Sequence, residues 1–207
     1  MKTILVIESS AGGNESVSRL LVQDAITALL AAYPDSQVIR RDLGREPVPH
    51  LAESNLAGLR GDAATAEQRA ARARSDSLIA ELRAADILLI GAPMYNFSVP
   101  TALRAWFDHV LRAGETFSYS EAGPKGLLSG RQAIIVETRG GSYSEGPAMA
   151  IDFQEPYLRQ LLGFIGITDV TFVRAEKLAF GPEARSAAIA GAREALARLV
   201  GPPRRVA

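Results

Sequence analysis

Ile87-Leu88-Leu89-Ile90-Gly91-Ala92-Pro93-Met94-Tyr95-Asn96-Phe97-Ser98-Val99-Pro100 runs from an unbroken apolar segment into a turn-rich loop. Residues 87–90 have the length and composition of a buried strand. Beyond the loop, Leu103, Trp106, Phe107, Val110 and Leu111 fall at i, i+3, i+4, i+7 and i+8, one face of an α-helix. Ser98 is a residue type that caps a helix start, Pro100 suits a first turn and Gly114 a helix end. Residues 93–98 therefore form a loop at the carboxyl end of a buried strand, where an open parallel sheet binds its ligands. Two aromatic rings and an amide equip that loop to lie against a flat ring.

The same alternation continues on both sides. Lys2–Glu8 reads as a first buried strand, and Ser9-Ser10-Ala11-Gly12-Gly13-Asn14-Glu15 as a polar, Gly-rich loop. A helix from Ser16 to Tyr33 puts Val17, Leu20, Leu21, Ala25, Ile26, Leu29 and Leu30 on one face and ends at Pro34. Gln37–Leu43 is a second strand. Residues 44–64 carry Pro47, Pro49 and several glycines and read as loop, with a short helix around Glu53–Leu59. A helix from Thr65 to Ala84 leads to the strand already quoted. Residues 116–130, punctuated by Gly123-Pro124 and Gly126, are expected as a small hairpin passing over the carboxyl edge of the sheet. Arg131–Thr138 is a fourth strand that enters Arg139-Gly140-Gly141-Ser142-Tyr143-Ser144-Glu145-Gly146-Pro147. A helix bearing Tyr157, Leu158, Leu161, Leu162 and Ile165 follows, then a fifth strand at Asp169–Ala175 and a helix from Pro182 to Val200 stopped by Gly201-Pro202-Pro203. This order predicts an α/β fold: a five-stranded parallel sheet, order 2-1-3-4-5, with helices on both faces and right-handed crossovers. One domain over 1–200 is expected, with 201–207, including Arg204 and Arg205, as a flexible tail.

The composition narrows the chemistry. Lys+Arg and Asp+Glu balance at 23 each in 207 residues, so no overall field favours nucleic acid or an anionic membrane. The absence of cysteine excludes disulfides, thiolate nucleophiles, iron–sulfur ligation and Cys-based zinc sites. His50 and His109 lie in different segments, which excludes a His-rich metal site. His109 is expected as a surface or packing residue, and His50 has no identifiable partner. No apolar run reaches the roughly 18 residues of a membrane span, and the N-terminus opens directly into a strand, so a cytoplasmic location is expected. Redox work, in such a chain, falls to a bound organic cofactor.

Loops 9–18, 93–98 and 139–147 leave the carboxyl ends of the first, third and fourth strands and converge at the switch point of such a sheet. In the first, Ser10, Ser16 and Ser18 surround the start of a helix whose free N–H groups attract an anion. Neither the P-loop pattern nor a G-x-G-x-x-G fingerprint is present, which favours a single phosphate over a triphosphate or dinucleotide. The competing reading makes each serine an ordinary cap. In the second, Pro93, Met94, Tyr95, Asn96 and Phe97 offer ring faces, a thioether and N–H donors. Aromatics in a loop also plug cores, but a plug does not account for Asn96 between them. In the third, Gly140 and Gly141 allow backbone to approach a planar ligand closely, with Tyr143 as a cover. A tight turn without ligand is the plainer alternative, and Arg139 is either a nearby charge or half of a surface pair.

Ala92–Phe97, Thr138-Arg139-Gly140-Gly141, Ser10 with Ser16-Val17-Ser18, and Gly163-Phe164-Ile165-Gly166-Ile167 together resemble the FMN-dependent NADH:quinone oxidoreductases, or azoreductases, over nearly the whole chain. The resemblance implies a flavodoxin-like homodimer with one FMN per subunit and active sites at the interface. It implies that Ser10, Ser16, Val17 and Ser18 hold the phosphate, and that Pro93, Met94, Tyr95, Asn96, Phe97, Thr138, Arg139, Gly140 and Gly141 hold the isoalloxazine. It further implies NADH or NADPH as reductant and quinones or aromatic azo compounds as acceptors, reduced in alternation. The substrate pocket is assigned to Arg60, Phe117, Tyr119, Tyr143 and Leu161, with Arg60 meeting the coenzyme phosphates. The chain departs from the pattern at Thr138, where the family usually has Ser, and at Leu161, where relatives carry an aromatic. No metal and no catalytic side chain is expected, since the flavin carries the chemistry. A flavodoxin-type electron carrier is the rival reading, although such carriers tend to be acidic. A signalling receiver domain, with its acidic pair after the first strand, is countered by Glu8-Ser9-Ser10.

Overall fold

The computed structural model describes residues 1–199; the tail expected at 201–207 and the helix stop before it lie outside the described residues. The chain runs β1 (Thr3–Glu8), α1 (Val17–Ala32), β2 (Gln37–Asp42), α2 (Glu53–Arg60), α3 (Ala66–Ala84), β3 (Ile87–Pro93), α4 (Thr101–Val110), β4 (Phe117–Ser120), β5 (Gly123–Gly126), β6 (Gln132–Thr138), α5 (Glu155–Phe164), β7 (Asp169–Ala175) and α6 (Pro182–Leu199), with 3-10 turns at Gly13–Glu15 and Gly146–Ile151. The main sheet has five parallel strands in the order β2-β1-β3-β6-β7, which is the expected 2-1-3-4-5 once the separate β4–β5 hairpin is set aside.

Continuous apolar runs are needed in the middle strands because successive side chains point to opposite faces and both faces are covered. Leu5, Ile7, Leu88, Ile90, Ala133 and Ile135 face one layer, packed with Leu78, Leu82, Trp106, Phe107, Leu158 and Leu162 from α3, α4 and α5. Ile4, Val6, Ile87, Leu89, Ile134 and Val136 face the other, against Leu21, Ile26 and Leu29 of α1 and Leu196 of α6. Trp106 and Phe107 sit edge to face at 5.0 Å, both essentially without exposure. Thr65 caps α3 reciprocally with Gln68: the Gln68 N–H donates to Thr65 Oγ1 and the Thr65 N–H to Gln68 Oε1.

Local signals fail in two places. Ser98 does not cap α4; Pro100 holds the cap position, and Ser98 spends its backbone on a turn with Tyr95 and its hydroxyl on the Phe153 carbonyl. The β4–β5 hairpin forms, but not over the carboxyl edge. Helix α4 carries the chain back along the sheet, and the hairpin seats Gly126 against Ile165 and Gly166 in the turn between α5 and β7, at the amino edge. A Cβ at Gly126 would collide with the backbone of that turn, so the fit depends on glycine. His109 proves to be a packing residue. It is fully buried, its Nε2 lies 2.9 Å from the Pro49 carbonyl, and its own carbonyl accepts the Ser75 hydroxyl at 2.6 Å. Burial lowers its pKa from the ordinary imidazole value. The His50 carbonyl accepts the Asn55 side-chain amide at 3.0 Å, which helps start α2.

Candidate active site

The parallel register levels Glu8 with Asp42 and Gly91, and Pro93 with Thr138, which in turn is level with Ala175. The segments beginning at 9, 94, 139 and 176 therefore leave the sheet along one edge, at the place where the chain switches from the β2 side of β1 to the β3 side.

In the first loop, Ser16 is the N-cap of α1, accepting the Arg19 N–H, and its hydroxyl is 2.9 Å from that of Ser18. The N–H groups of Val17 and Ser18, in the opening turn of the helix, make no backbone hydrogen bond among the described residues. Ser10 Oγ accepts the Gly12 N–H at 3.1 Å. The loop is fixed from beneath by Arg19, which forks onto both oxygens of Asp42 at 2.6 Å and donates to the Ser10 carbonyl at 3.0 Å. That guanidinium holds the Asp42 carboxyl below the usual carboxylate range. Hydroxyls and unpaired N–H groups at a helix start are the donor set a phosphate requires.

The second loop is a tight turn. Tyr95 and Ser98 exchange backbone hydrogen bonds at 2.9 and 3.1 Å, and the central residues Asn96 and Phe97 both have positive φ, 48° and 70°. This is the backbone of a hairpin turn that favours Asn-Gly; Phe in its second position is strained. The turn throws the Tyr95 ring toward the first loop, where its hydroxyl meets Ser10 Oγ at 3.3 Å and the Ala11 N–H at 3.1 Å. It throws the Phe97 ring toward the third loop, where it meets Tyr143 edge-on at 6.2 Å. The Met94 N–H donates to the Thr138 carbonyl at 2.8 Å. The three loops thus meet, and the aromatics act as bridges between them rather than as core plugs.

In the third loop the Gly140 and Gly141 carbonyls accept from Ala179 and Lys177, while the N–H groups of both glycines make no hydrogen bond among the described residues. Tyr143 lies across Gly141, where an added Cβ would meet its ring at 3.0 Å. A planar group with acceptor atoms on its edge fits this pair of free donors, and the residues present suit FMN at both ends.

The predicted substrate residues do not gather there as a set. Arg60, Phe117 and Tyr119 line a separate cavity of about 450 Å³ with Leu51, Asp108 and Leu111, a consequence of the hairpin's seat at the amino edge. Tyr143 remains at the loops, and Leu161, on α5, packs half-buried against the core. Arg139 is neither a surface pair nor a ligand through its side chain. Its guanidinium is fully buried, 2.8 Å from Glu137, 3.0 Å from Asp152 and 3.1 Å from Glu176, and its Nε donates to Gln154. Only its backbone reaches the loop. The sequence reading missed Gln154, Asp152 and Glu176. The available signal was Glu137 and Arg139, opposite charges two apart where a buried strand passes into its loop. Burial pushes the Glu137 carboxyl up to about 8 against the pull of Arg139, with Glu155 and Asp152 adding to the rise, and its Oε1 has no hydrogen-bond partner among the described residues.

Among the described residues no group of His, Asp and Glu is placed to hold a metal, and no helix is long and apolar enough to cross a membrane. A family profile described as the flavodoxin-like fold matches residues 2–200. The FMN-dependent NADH:quinone oxidoreductase of Hyphomonas neptunium is 63% identical over 199 residues, 96% of each chain. The FMN-dependent NADH:quinone oxidoreductase 3 of Pseudomonas aeruginosa is 52% identical over 94% of this chain and 91% of its own. Among solved structures, an azoreductase from Bacillus anthracis superposes with a TM-score of 0.88 at 28% identity, covering 97% of this chain and 99% of that one. With its sheet order, its meeting of loops and these relatives, the chain belongs to the flavodoxin-like family of FMN-dependent NADH:quinone oxidoreductases.

Proposed function

We propose that this chain binds FMN and uses it to carry two electrons from NADH or NADPH to quinones and aromatic azo compounds, reductant and acceptor taking turns at one site. The observation that carries the reading is the meeting of the three loops: Tyr95 reaches Ser10 and Ala11 in the loop that leads to the hydroxyl-rich start of α1, and Phe97 reaches Tyr143 beside the Gly140 and Gly141 N–H groups. When bound, FMN supplies a hydride acceptor and donor at N5. Ser10, Ser16, Ser18 and the first N–H groups of α1 would hold its phosphate. The N–H groups of Gly140 and Gly141 would face the negative charge that reduction places on the pyrimidine edge, each donor of this kind being worth about 3 kcal/mol in a preorganised site. Met94–Phe97 would hold the opposite edge of the ring, and Tyr143 would screen it from water. No side-chain acid or base is required.

The proposed working unit is a homodimer in the cytoplasm. Its support is the division of the pocket residues: Arg60, Phe117 and Tyr119 surround their own cavity, and a second copy can bring that cavity to a neighbouring flavin. Met149, Ile151 and Phe153 stand exposed beside the loops, as an interface would need.

The test is the visible spectrum of purified protein, followed anaerobically. Bleaching by NADH and recovery on adding a benzoquinone are expected, with parallel double-reciprocal plots for alternation. Protein that holds FMN but sustains no NADH oxidation above background in the presence of quinone would point to a carrier. A colourless protein that takes up no added FMN would overturn the reading.

A further inference from the structure

One guanidinium joins the two loops that would grip the isoalloxazine. On one side Arg139 Nε donates to Gln154 Oε1 at 3.0 Å, and the same amide's Nε2 donates to the Ala92 carbonyl at 2.9 Å, immediately before Pro93. The neighbouring Phe153 N–H donates to the Phe97 carbonyl at 3.0 Å, and Ser98 Oγ returns a bond to the Phe153 carbonyl. On the other side Arg139 Nη1 donates to Glu176 Oε1 at 3.1 Å, and that oxygen also accepts the N–H groups of Tyr143 at 2.8 Å and Ser144 at 3.1 Å. Arg139 and Gln154 have no exposed surface, so the bonds from Arg139 to Gln154 and from Gln154 to Ala92 are shielded from competing water. The Arg139 side chain turns away from the space between the loops, while the Gly140 and Gly141 N–H groups follow it directly in the chain.

We propose that Arg139 is a positioning residue: through Gln154 and Glu176 it sets the spacing between the 94–98 turn and the Gly140–Gly141 donors, and thereby tunes flavin affinity and reduction potential without touching the flavin. The inference rests on FMN occupying these loops. A planar fork is required because it bonds Gln154, Glu176 and Glu137 in different directions from one rigid group. An ammonium on a flexible stem keeps the charge and loses that geometry.

Three variants separate the roles. Arg139→Lys keeps the charge, Gln154→Met cuts the link to Ala92 while leaving Glu176 in place, and Glu176→Gln keeps the shape but removes the charge that Arg139 faces. Each is titrated with FMN as apoprotein by fluorescence quenching at 10 °C, and the potential of the bound flavin is measured. The expected result for Arg139→Lys and Gln154→Met is FMN affinity at least fivefold weaker and a more negative potential. A tenfold loss of preference for reduced over oxidised flavin corresponds to about 30 mV for two electrons. A lower melting temperature with unchanged affinity and potential in every folded variant would make the cluster merely structural and overturn the proposal. If Arg139→Lys does not fold, Gln154→Met decides by the same two readouts. Wild-type protein that fails to bind FMN would refute the flavin assignment itself, a result distinct from variants that match a binding wild type.

Discussion

Glu137 gives the most direct test of the electrostatics behind the third loop. Its side chain has no exposed surface, one oxygen lies 2.8 Å from Arg139 and the other has no hydrogen-bond partner among the described residues. Arg139 is shared with Asp152 and Glu176, so a proton on Glu137 relieves a local excess of negative charge. The folded carboxyl therefore titrates near 8, against an ordinary 4.5. Between those values the native state holds a proton that the unfolded chain has released. Stability from this group is full below pH 4.5 and declines as pH rises to about 8, at about 1.4 kcal/mol per unit. His109, whose pKa is lowered, acts in the other sense: its contribution is full above the ordinary imidazole range and falls as pH drops through it. The window from 6.5 to 8 isolates Glu137, where the loss amounts to about 2 kcal/mol, or roughly 4–8 °C in a domain of this size. Glu137→Gln keeps the volume and carries no titratable proton. Thermal unfolding of both proteins in excess FMN from pH 5 to 9 should show wild type falling relative to the variant across that window. Curves that stay parallel would mean that Glu137 is ionised throughout, and the burial argument would fail.

Other perturbations probe the remaining parts. Gly44→Ala places a methyl against the Ser10 carbonyl and close to the Arg19 guanidinium, an overpacking cost of about 1–3 kcal/mol. Because the first loop must move, FMN affinity should drop at least tenfold in a fluorescence titration, and an unchanged affinity would separate that loop from the phosphate. Trp106→Ala should destabilise by about 3–5 kcal/mol in urea unfolding, since the side chain is fully buried among α3, α4 and the sheet. FMN at a hundredfold excess over its dissociation constant should stabilise the apoprotein by about 2.7 kcal/mol, read as a melting shift of roughly 5–11 °C. An unshifted transition would contradict the cofactor assignment.

Periodicity located the regular elements because burial in this fold is nearly one-dimensional: a strand covered on both faces must be apolar throughout, and a helix covered on one must be striped. Asp169–Ala175 has the bounds expected of it, and α3 begins at Ala66, one residue after the expected start at Thr65. What escaped the sequence was decided by contacts distant along the chain. Ser98 has the chemistry of a cap, yet the exchange with Tyr95 removes it from the helix start. Phe117 and Tyr119 suit a substrate pocket by type, but the notch between Gly126 and Gly166 fixes where their hairpin sits. Arg139 meets carboxylates supplied by residues 137, 152 and 176, and no local window contains all of them.

The left-handed pair Asn96-Phe97 carries a consequence for how this sequence can drift. Asparagine tolerates such a backbone and phenylalanine does not, so the ring at 97 is retained at a standing cost in fold stability. Selection for heat tolerance alone would enrich glycine at that codon. Selection for turnover would purge it, because the ring bridges the turn to Tyr143.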